Sequence, residues 1–211
     1  MSDDERLLGL RERKKRDMHA RLSSIALDLA VKRGVTAVRT EDIAAEAGVS
    51  PRTFNNYFPN KEAAIVGVAA IRTEVFCSAL RARPADEPLH DSLAAAAAAL
   101  FDDEPDRDWM ARARLIRSEP SLYAEERKSD IAIERAIASE IGARSGADPL
   151  LDLGPRLVAA TVLAALHAAV QYWLDVPAAG TLRDVLVRAM TQFPLSPPPV
   201  QDRDTQTGAP P

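Results

Sequence analysis

A run of polar side chains between residues 50 and 57 contains the residue types that read nucleic acids. Arginine matches the O6/N7 edge of guanine in the major groove of DNA, and asparagine matches the N6/N7 edge of adenine. Hydroxyl groups add hydrogen bonds to phosphates and sugars, which fix the position of a protein on the duplex. The run predicts a DNA-reading surface made of Ser50, Arg52, Thr53, Asn55, Asn56 and Tyr57.

Two short helices are expected to position this surface. Thr40 is predicted to cap the first helix, which Gly48 ends. Ser50 followed by Pro51 is a strong start signal for the second, with serine as the cap and proline at the first helical position. This second helix is predicted to run to Phe58, with Phe54 and Phe58 as its inward anchors. The polar side chains then lie on its outer face, where a helix of this kind enters the major groove.

The charge distribution supports a polyanionic partner for the same region. The whole chain of 211 residues has a formal net charge of −4, but residues 11–61 hold 11 basic against six acidic side chains. Residues 62–211 hold 15 basic against 22 acidic ones. A basic N-terminal part on an acidic body favours nucleic-acid binding by the former. The basic run Arg11, Arg13, Lys14, Lys15 and Arg16 is either a solvated helix end or a contact to phosphates or a minor groove.

Residues 13–68 closely resemble the DNA-binding unit of the TetR-type repressor family. The resemblance lies in Thr40-Glu41-Asp42-Ile43-Ala44-Ala45-Glu46-Ala47-Gly48-Val49-Ser50, Arg52-Thr53-Phe54-Asn55-Asn56-Tyr57-Phe58 and Lys61-Glu62. It implies that Tyr57 and Lys61 contact phosphate, and that Thr53 contacts phosphate or a base edge. Arg52, Asn55 and Asn56 are then the base readers, and Asn55 departs from the aromatic residue that many members carry. Thr40 and Ser50 complete the predicted DNA-binding set.

The remainder of the chain has the period of α-helices throughout, so the expected fold class is all-α with about nine helices. A three-helix DNA-binding domain is expected over residues 11–70, with its helix-turn-helix at about 40–58. A long fourth helix is predicted from Lys61 to about Arg83. A helical effector-binding and dimerisation domain is expected over residues 71–193, and residues 194–211 are expected to be a disordered, proline-rich tail.

An uncharged stretch, Leu157–Leu174, reaches the lower length limit of a membrane-spanning helix. Its six alanines and three polar residues instead favour a buried helix of a helical domain, and no membrane partner is expected. The predicted final helix, Leu182–Phe193, has its apolar residues along one face. Together the two helices carry more apolar surface than one small domain covers, which favours a homodimer. The family resemblance also implies dimerisation through the last two helices. The predicted dimer residues are Leu166, Val170, Leu182, Leu186, Met190 and Phe193.

The resemblance further implies a small-molecule effector site in the C-terminal domain. Side chains with an apolar body and a polar tip are the expected lining of a mostly apolar pocket, so a hydrophobic effector such as a lipid, acyl chain or drug is predicted. The predicted effector-binding residues are Phe76, Trp109, Tyr123, His167, Gln171 and Tyr172. Ordinary core or dimer contacts are the alternative for each of them.

The same sequence disfavours an enzyme. It has neither a glycine-rich phosphate loop nor a pair of Glu-x-x-His motifs, and its single cysteine, Cys77, excludes cysteine-rich metal sites within one chain. No cofactor and no metal are expected, and an acidic N-terminus without an apolar run predicts a cytoplasmic protein. The predicted function is a sequence-specific transcriptional regulator, in particular a repressor that an effector releases from a near-palindromic operator. The alternative is a helical adaptor whose helix-turn-helix is structural.

Overall fold

The computed structural model describes residues 3–67, 69–101, 104–176 and 178–192, and over these ranges the expected all-α class is confirmed. Ten α-helices and one short 3-10 turn, Val35–Ala37, occur in this part of the chain. The helices are α1 (Asp3–Arg33), α2 (Thr40–Glu46), α3 (Pro51–Asn55), α4 (Lys61–Val66), α5 (Ala69–Arg81), α6 (Leu89–Ala98), α7 (Arg107–Ser118), α8 (Pro120–Ser145), α9 (Leu153–Asp175) and α10 (Leu182–Gln192).

The chain forms two compact units, of which the first comprises Met1–Ile71 and Pro105–Asp130. Its core is built around α1, whose buried Leu22 and Ala26 meet Ile65 from α4 and Phe54 from α3. Helix α7 packs against α1 and α4, and Ile116 of α7 belongs to the same core. This division differs from the expected domains in that residues 105–130, expected in the effector domain, belong to the first unit.

The second unit comprises Arg72–Glu104 and Ile131–Pro211. Within its described residues, α10 packs against both α6 and α9. Small side chains make this close packing possible, because α6 is largely alanine and Ala96 and Ala97 are completely buried. Arg144 of α8 fixes the loop between α5 and α6 by donating hydrogen bonds to the carbonyls of Arg83 (3.1 Å) and Pro84 (2.6 Å).

The long fourth helix predicted from Lys61 to about Arg83 is instead two helices. Gly67 has a left-handed backbone with φ +47°, and its N–H closes α4 on the carbonyl of Ala63. A side chain at this position would collide with Ser23, since a Cβ atom would lie 1.8 Å from its Oγ. The break raises the helix count above the nine expected. The expected disordered tail lies outside the described residues.

Helix α9 contains the uncharged stretch and is buried on one face only within this chain. It is long and apolar enough to cross a membrane by length and composition, and a third of its most apolar window is buried. Leu153 and Leu157 are 67% and 55% exposed, whereas Val162 is completely buried. The expectation of a helix buried all round therefore holds, in a single chain, only for the side that faces α10 and the rest of the second unit.

Candidate nucleic-acid interface

The turn between α2 and α3 fixes the angle at which the two helices meet. Gly48 adopts φ +68°, and the amide of Val49 donates to the carbonyl of Ala44 across the turn (2.9 Å). Ser50 then caps α3, because its Oγ accepts the backbone N–H of Thr53 (3.1 Å) while Pro51 occupies the first helical position. These local features confirm the predicted cap, and they make a helix of five residues stable enough to present side chains.

Helix α3 has one buried and one exposed face. Phe54 is completely buried and Phe58, just beyond the helix, is 3% exposed, with their rings 5.9 Å apart. Arg52, Asn55 and Asn56 are exposed, and Thr53 and Tyr57 are half-buried at the edge of that face. The aromatic anchors thus hold the helix by one side and leave three predicted base readers in solvent. Helix α3 ends at Asn55, three residues earlier than expected, and a turn continues to Phe58.

Lys61 makes contacts that the sequence did not reveal. Its Nζ donates to the carbonyls of Val35 (2.8 Å) and Val38 (2.9 Å), with the carbonyl of Thr36 at 3.4 Å. These carbonyls surround the 3-10 turn that precedes α2. An ammonium group has three donors, and these carbonyls can use all three. Lys61 therefore links the first residue of α4 to the segment that leads into α2. A phosphate contact by this residue requires at least one of these hydrogen bonds to be exchanged.

Thr40 is the first residue of α2, not its cap. The capping position belongs to Arg39, whose extended backbone (φ −116°, ψ 155°) precedes the first helical turn. The carboxylate of Asp42 accepts the N–H of Arg39 (3.3 Å), which satisfies a donor at the helix start. The Thr40 hydroxyl instead lies 3.2 Å from Glu41 Oε2, to which it donates. The helix therefore starts as expected, but the side chain that caps it comes from inside its first turn.

A buried arginine of α7 supports the unit, and sequence reasoning missed it. Arg112 is 8% exposed, and its Nε donates to the carbonyl of Ile65 (2.9 Å) while Nη2 donates to Ser23 Oγ (3.2 Å). Because α4 stops at the Gly67 break, the Ile65 carbonyl lacks an intrahelical partner, which the guanidinium replaces. Burial lowers the pKa of Arg112, and the nearby Asp108 and Asp106 oppose that shift. The arginine-rich sequence of α7 gave no sign of which arginine is buried.

The predicted effector residues divide between the two units. Trp109 is buried in the first unit, and Tyr123 of that unit is 50% exposed with the Arg127 guanidinium 5.1 Å from its ring centre. In the second unit Phe76 is buried, His167 is half-buried, Gln171 is exposed, and Tyr172 is 45% exposed beside Arg188. The structure does not gather the six residues within one unit.

The predicted dimer residues also separate into two groups. Leu182, Leu186 and Met190 of α10 are at most 1% exposed, because α10 packs on α6 and α9 of the same chain. They are core residues of the second unit, which corrects the expectation that they face a partner. Leu166 and Val170 of α9 are half-buried. Phe193 lies outside the described residues.

A helix-turn-helix anchored by two phenylalanines, with an exposed Arg/Asn face, defines a DNA-binding transcriptional regulator. Comparison with known proteins gives the family. Residues 24–65 match the family model of bacterial regulatory proteins of the tetR family, and residues 87–194 match the MftR C-terminal domain. The chain belongs to the TetR family of transcriptional regulators, and the resemblance noted in its sequence is confirmed.

Two named relatives align along most of the chain. The HTH-type transcriptional regulator TcmR of Streptomyces glaucescens is 33% identical over 174 residues, which covers 78% of this chain and 76% of TcmR. MftR of Mycobacterium tuberculosis, named as a mycofactocin biosynthesis transcriptional regulator, is 30% identical over 155 residues, or 72% of this chain and 78% of MftR.

Solved structures show the same fold. A tetR-family transcriptional regulator from Streptomyces coelicolor matches with a TM-score of 0.50 at 17% identity, covering 84% of this chain and 78% of that one. A transcriptional regulator from Pseudomonas aeruginosa PAO1 matches with a TM-score of 0.52 at 21% identity, covering 82% and 88%. At these identities the likeness concerns the fold alone.

Proposed function

We propose that this regulator is a cytoplasmic, non-enzymatic repressor that binds a near-palindromic operator as a homodimer and leaves it when a small hydrophobic effector binds. The observation that carries the operator-binding part is the exposed Arg52, Asn55 and Asn56 face of α3, held by the buried Phe54 and Phe58. A two-fold dimer presents two such helices, so its binding site has two equivalent half-sites about one helical turn of DNA apart.

Base recognition is assigned to Arg52, Asn55 and Asn56. Phosphate contacts are assigned to Tyr57 and to Thr53, which can also reach a base edge. Lys61 is assigned a phosphate contact in which a phosphate oxygen replaces one of its three carbonyl acceptors. Thr40 and Ser50 lie at the two helix starts, where backbone N–H groups favour phosphate. The hydroxyl of Ser50 already accepts the Thr53 amide, so its contribution is to hold the start of α3 in place.

The operator assignment is tested by selecting duplexes from a random pool with the full-length protein. The selected site should be near-palindromic, and Arg52→Ala or Asn56→Ala should relax the base preference at one position per half-site. A bidentate base contact is worth about 1–3 kcal/mol of discrimination. If every one of these variants loses affinity equally on all sequences, the residues are phosphate contacts and not base readers.

Dimerisation is proposed to use the exposed face of α9 instead of the core face of α10. Leu153, Leu157, Ala160, Ala164 and Ala168 recur every three or four residues and are all exposed in the single chain. Residues at this spacing share one helix face, and an apolar face of this length is normally covered. A second copy of the same helix covers it symmetrically, whereas Leu166 and Val170, each two residues out of phase with this spacing, point away from the face and are not assigned to it.

The dimer surface is tested by the same substitution at two exposed alanines of the second unit. Ala164→Glu lies in the middle of the proposed surface, and the control Ala132→Glu lies on α8. Sedimentation of the wild type and of Ala132→Glu should give dimers, whereas Ala164→Glu should give monomers at the same concentration. A wild-type monomer at micromolar concentration, or equal behaviour of the two variants, refutes this surface.

The effector is proposed to bind in the second unit, with lining drawn from Phe76, His167 and Tyr172; Gln171, three residues after Ala168, lies on the face of α9 that is assigned to the dimer. Trp109 and Tyr123 belong to the first unit and are not included in this lining. Effector and DNA affinities are reciprocally linked, so an effector that weakens operator binding must itself bind the DNA complex less tightly by the same factor. A thermal-shift screen of fatty acids, acyl-CoA esters and lipophilic drugs tests this assignment.

A positive ligand should lower operator affinity, and His167→Ala should weaken the ligand response without changing the operator affinity of the free protein. Ligand binding that leaves operator affinity unchanged contradicts release by an effector. In a transcription assay on a template carrying the selected site, added protein should reduce transcript. An increase would make the protein an activator.

A further inference from the structure

We infer that the N-terminal part of α1 forms a second DNA-contacting surface, which binds the phosphate backbone beyond the segment that α3 reads. This surface consists of four consecutive residues, Arg13, Lys14, Lys15 and Arg16, here called the basic turn. The inference concerns DNA contacts outside the helix-turn-helix, and it rests on the proposed operator binding by the first unit.

The basic turn projects from the packed part of the first unit. Successive residues of an α-helix point about 100° apart, so four in a row surround the helix axis, and all four are exposed. From Arg13 onward, where the structure describes the side chains of α1, burial begins with the half-buried Met18 and the buried Leu22. No ion pair joins the basic turn to a carboxylate whose side chain the structure describes, so positive charge is concentrated around this part of the helix.

One contact places the basic turn beside the recognition segment, by which we mean α3 and the turn after it, residues 51–58. The ring of His19, one turn further along α1, lies 4.1 Å from the ring of Phe58. Phe58 directly follows Tyr57 at the end of the recognition segment, where a phosphate contact is proposed. With a rise of about 1.5 Å per residue, Lys15 lies about 6 Å along α1 from His19. Lys15 and Arg16, four and three residues before His19, share its face of α1 and therefore flank the end of the segment that is proposed to meet the phosphate backbone, while Arg13 and Lys14 add charge further along α1.

The helical state of this segment decides what it can bind. Helix α1 is continuous from Asp3 to Arg33, so the basic turn is not an extended arm. A minor groove about 6 Å wide does not admit a helix about 10 Å across. The basic turn can thus approach the sugar-phosphate backbone but not the base edges of the minor groove. Its contribution must be independent of DNA sequence and strongly dependent on salt.

The test compares two full-length variants that lose the same charge. The first is R13Q/K14Q/K15Q/R16Q, and the matched control is R107Q/R114Q/K128Q/R135Q, which removes four exposed cations from α7 and α8. Glutamine is a good helix former, so α1 should be retained, and circular dichroism checks this. Dissociation constants are measured between about 50 and 200 mM salt on a mixed-sequence duplex and on a duplex selected from a random pool.

The first variant should bind both duplexes more weakly by the same factor. Its log–log salt slope should be less steep by about 0.9 for each phosphate that the basic turn no longer neutralises. The control should retain the wild-type slope, and a hydroxyl-radical footprint of the first variant should be shorter at its outer edges. An unchanged slope, an equal change in the control, or a weakening confined to A/T-flanked duplexes overturns the inference. A wild type that binds DNA but selects no sequence refutes the operator proposal while leaving the slope comparison intact.

Discussion

The two compact units of this protein use hydrogen bonds from cationic side chains to backbone carbonyls at different kinds of element. In the first unit, long cationic side chains bond backbone carbonyls of distant segments, as Lys61 does with Val35 and Val38, and Arg112 with Ile65. In the second unit, Arg144 bonds the carbonyls of Arg83 and Pro84 in a loop, whereas the helices pack through apolar side chains, as alanine-rich α6 does against α10.

This difference follows from what each unit must hold in place. Helices α2 and α3 have seven and five residues, too short to be stable alone, and a small shift of α3 would misplace every base contact. Directional hydrogen bonds to backbone carbonyls fix such short elements. The longer helices of the second unit are stabilised by extensive apolar packing, which restricts their orientation less sharply. These hydrogen bonds therefore position helices in the DNA-binding unit, whereas in the second unit they position the loop between α5 and α6.

The largest effect should come from removing the aromatic anchor of α3. Phe54→Ala is expected to cost about 3–5 kcal/mol of unfolding free energy and to abolish operator binding.

The single cysteine, Cys77, is buried in the second unit and reports on that unit separately. Its thiol should remain protected from a disulfide reagent in urea concentrations that already eliminate DNA binding. Leu93→Ala in α6 is the matched control and should expose Cys77 first; simultaneous loss in both variants would show that the units unfold together.

Arg112→Met should have the next largest effect. The substitution keeps the apolar stem but leaves the Ile65 carbonyl and the Ser23 hydroxyl buried without this partner, at about 1–3 kcal/mol for an unsatisfied group. The change in unfolding free energy of the first unit is measured in a urea titration in which the loss of operator binding is the signal. Exposed Arg114 on the same helix provides the control, since Arg114→Met should be nearly neutral. Equal stabilities of the two variants would mean that the buried guanidinium contributes nothing.

Lys61→Met separates a positioning role from a phosphate contact. Loss of the bonds to Val35 and Val38 should lower the unfolding free energy by about 1–3 kcal/mol, because the carbonyls lose their donor. If Lys61 also contacts phosphate, the salt slope of DNA binding should become less steep by about 0.9 per protomer. A lower stability with an unchanged slope assigns the residue to positioning alone. A changed slope at full stability assigns it to phosphate alone.

The smallest effect concerns acid stability in the second unit. Hydrogen bonds from Arg83 and then Ser92 lower the pKa of Glu87 to about 2. A carboxyl group with a depressed pKa stabilises the folded state above its ordinary pKa, and that contribution is lost as the pH falls from about 4.5 towards about 2. Glu87→Gln should therefore show a weaker decline of second-unit stability over this range. Urea unfolding monitored by circular dichroism at several pH values in this range measures it, and an identical decline in both proteins would contradict the assignment.

Prediction from sequence succeeded where the structural signal is local. The Ser50-Pro51 start and the turn at Gly48 occur as expected, because each depends on residues within a few positions of one another. The same holds for the alternation of buried Phe54 and Phe58 with exposed Arg52, Asn55 and Asn56, which the helix period alone dictates. The break at Gly67 was missed because an isolated glycine inside a helical pattern does not by itself end a helix.

The sequence by itself determined the helical class, the helix-turn-helix and the exposed polar face of α3, since periodicity, caps and turn residues act over short distances. Only the tertiary structure decided which arginine of α7 is buried, that Lys61 holds the entry of α2, and that α10 packs in its own chain while one face of α9 remains uncovered. Those outcomes depend on which segments meet across tens of residues. The apolar faces of α9 and α10 look alike in sequence, and so do the arginines of α7. Which face and which arginine become buried is therefore decided by packing and by the need of each buried carbonyl for a hydrogen-bond donor.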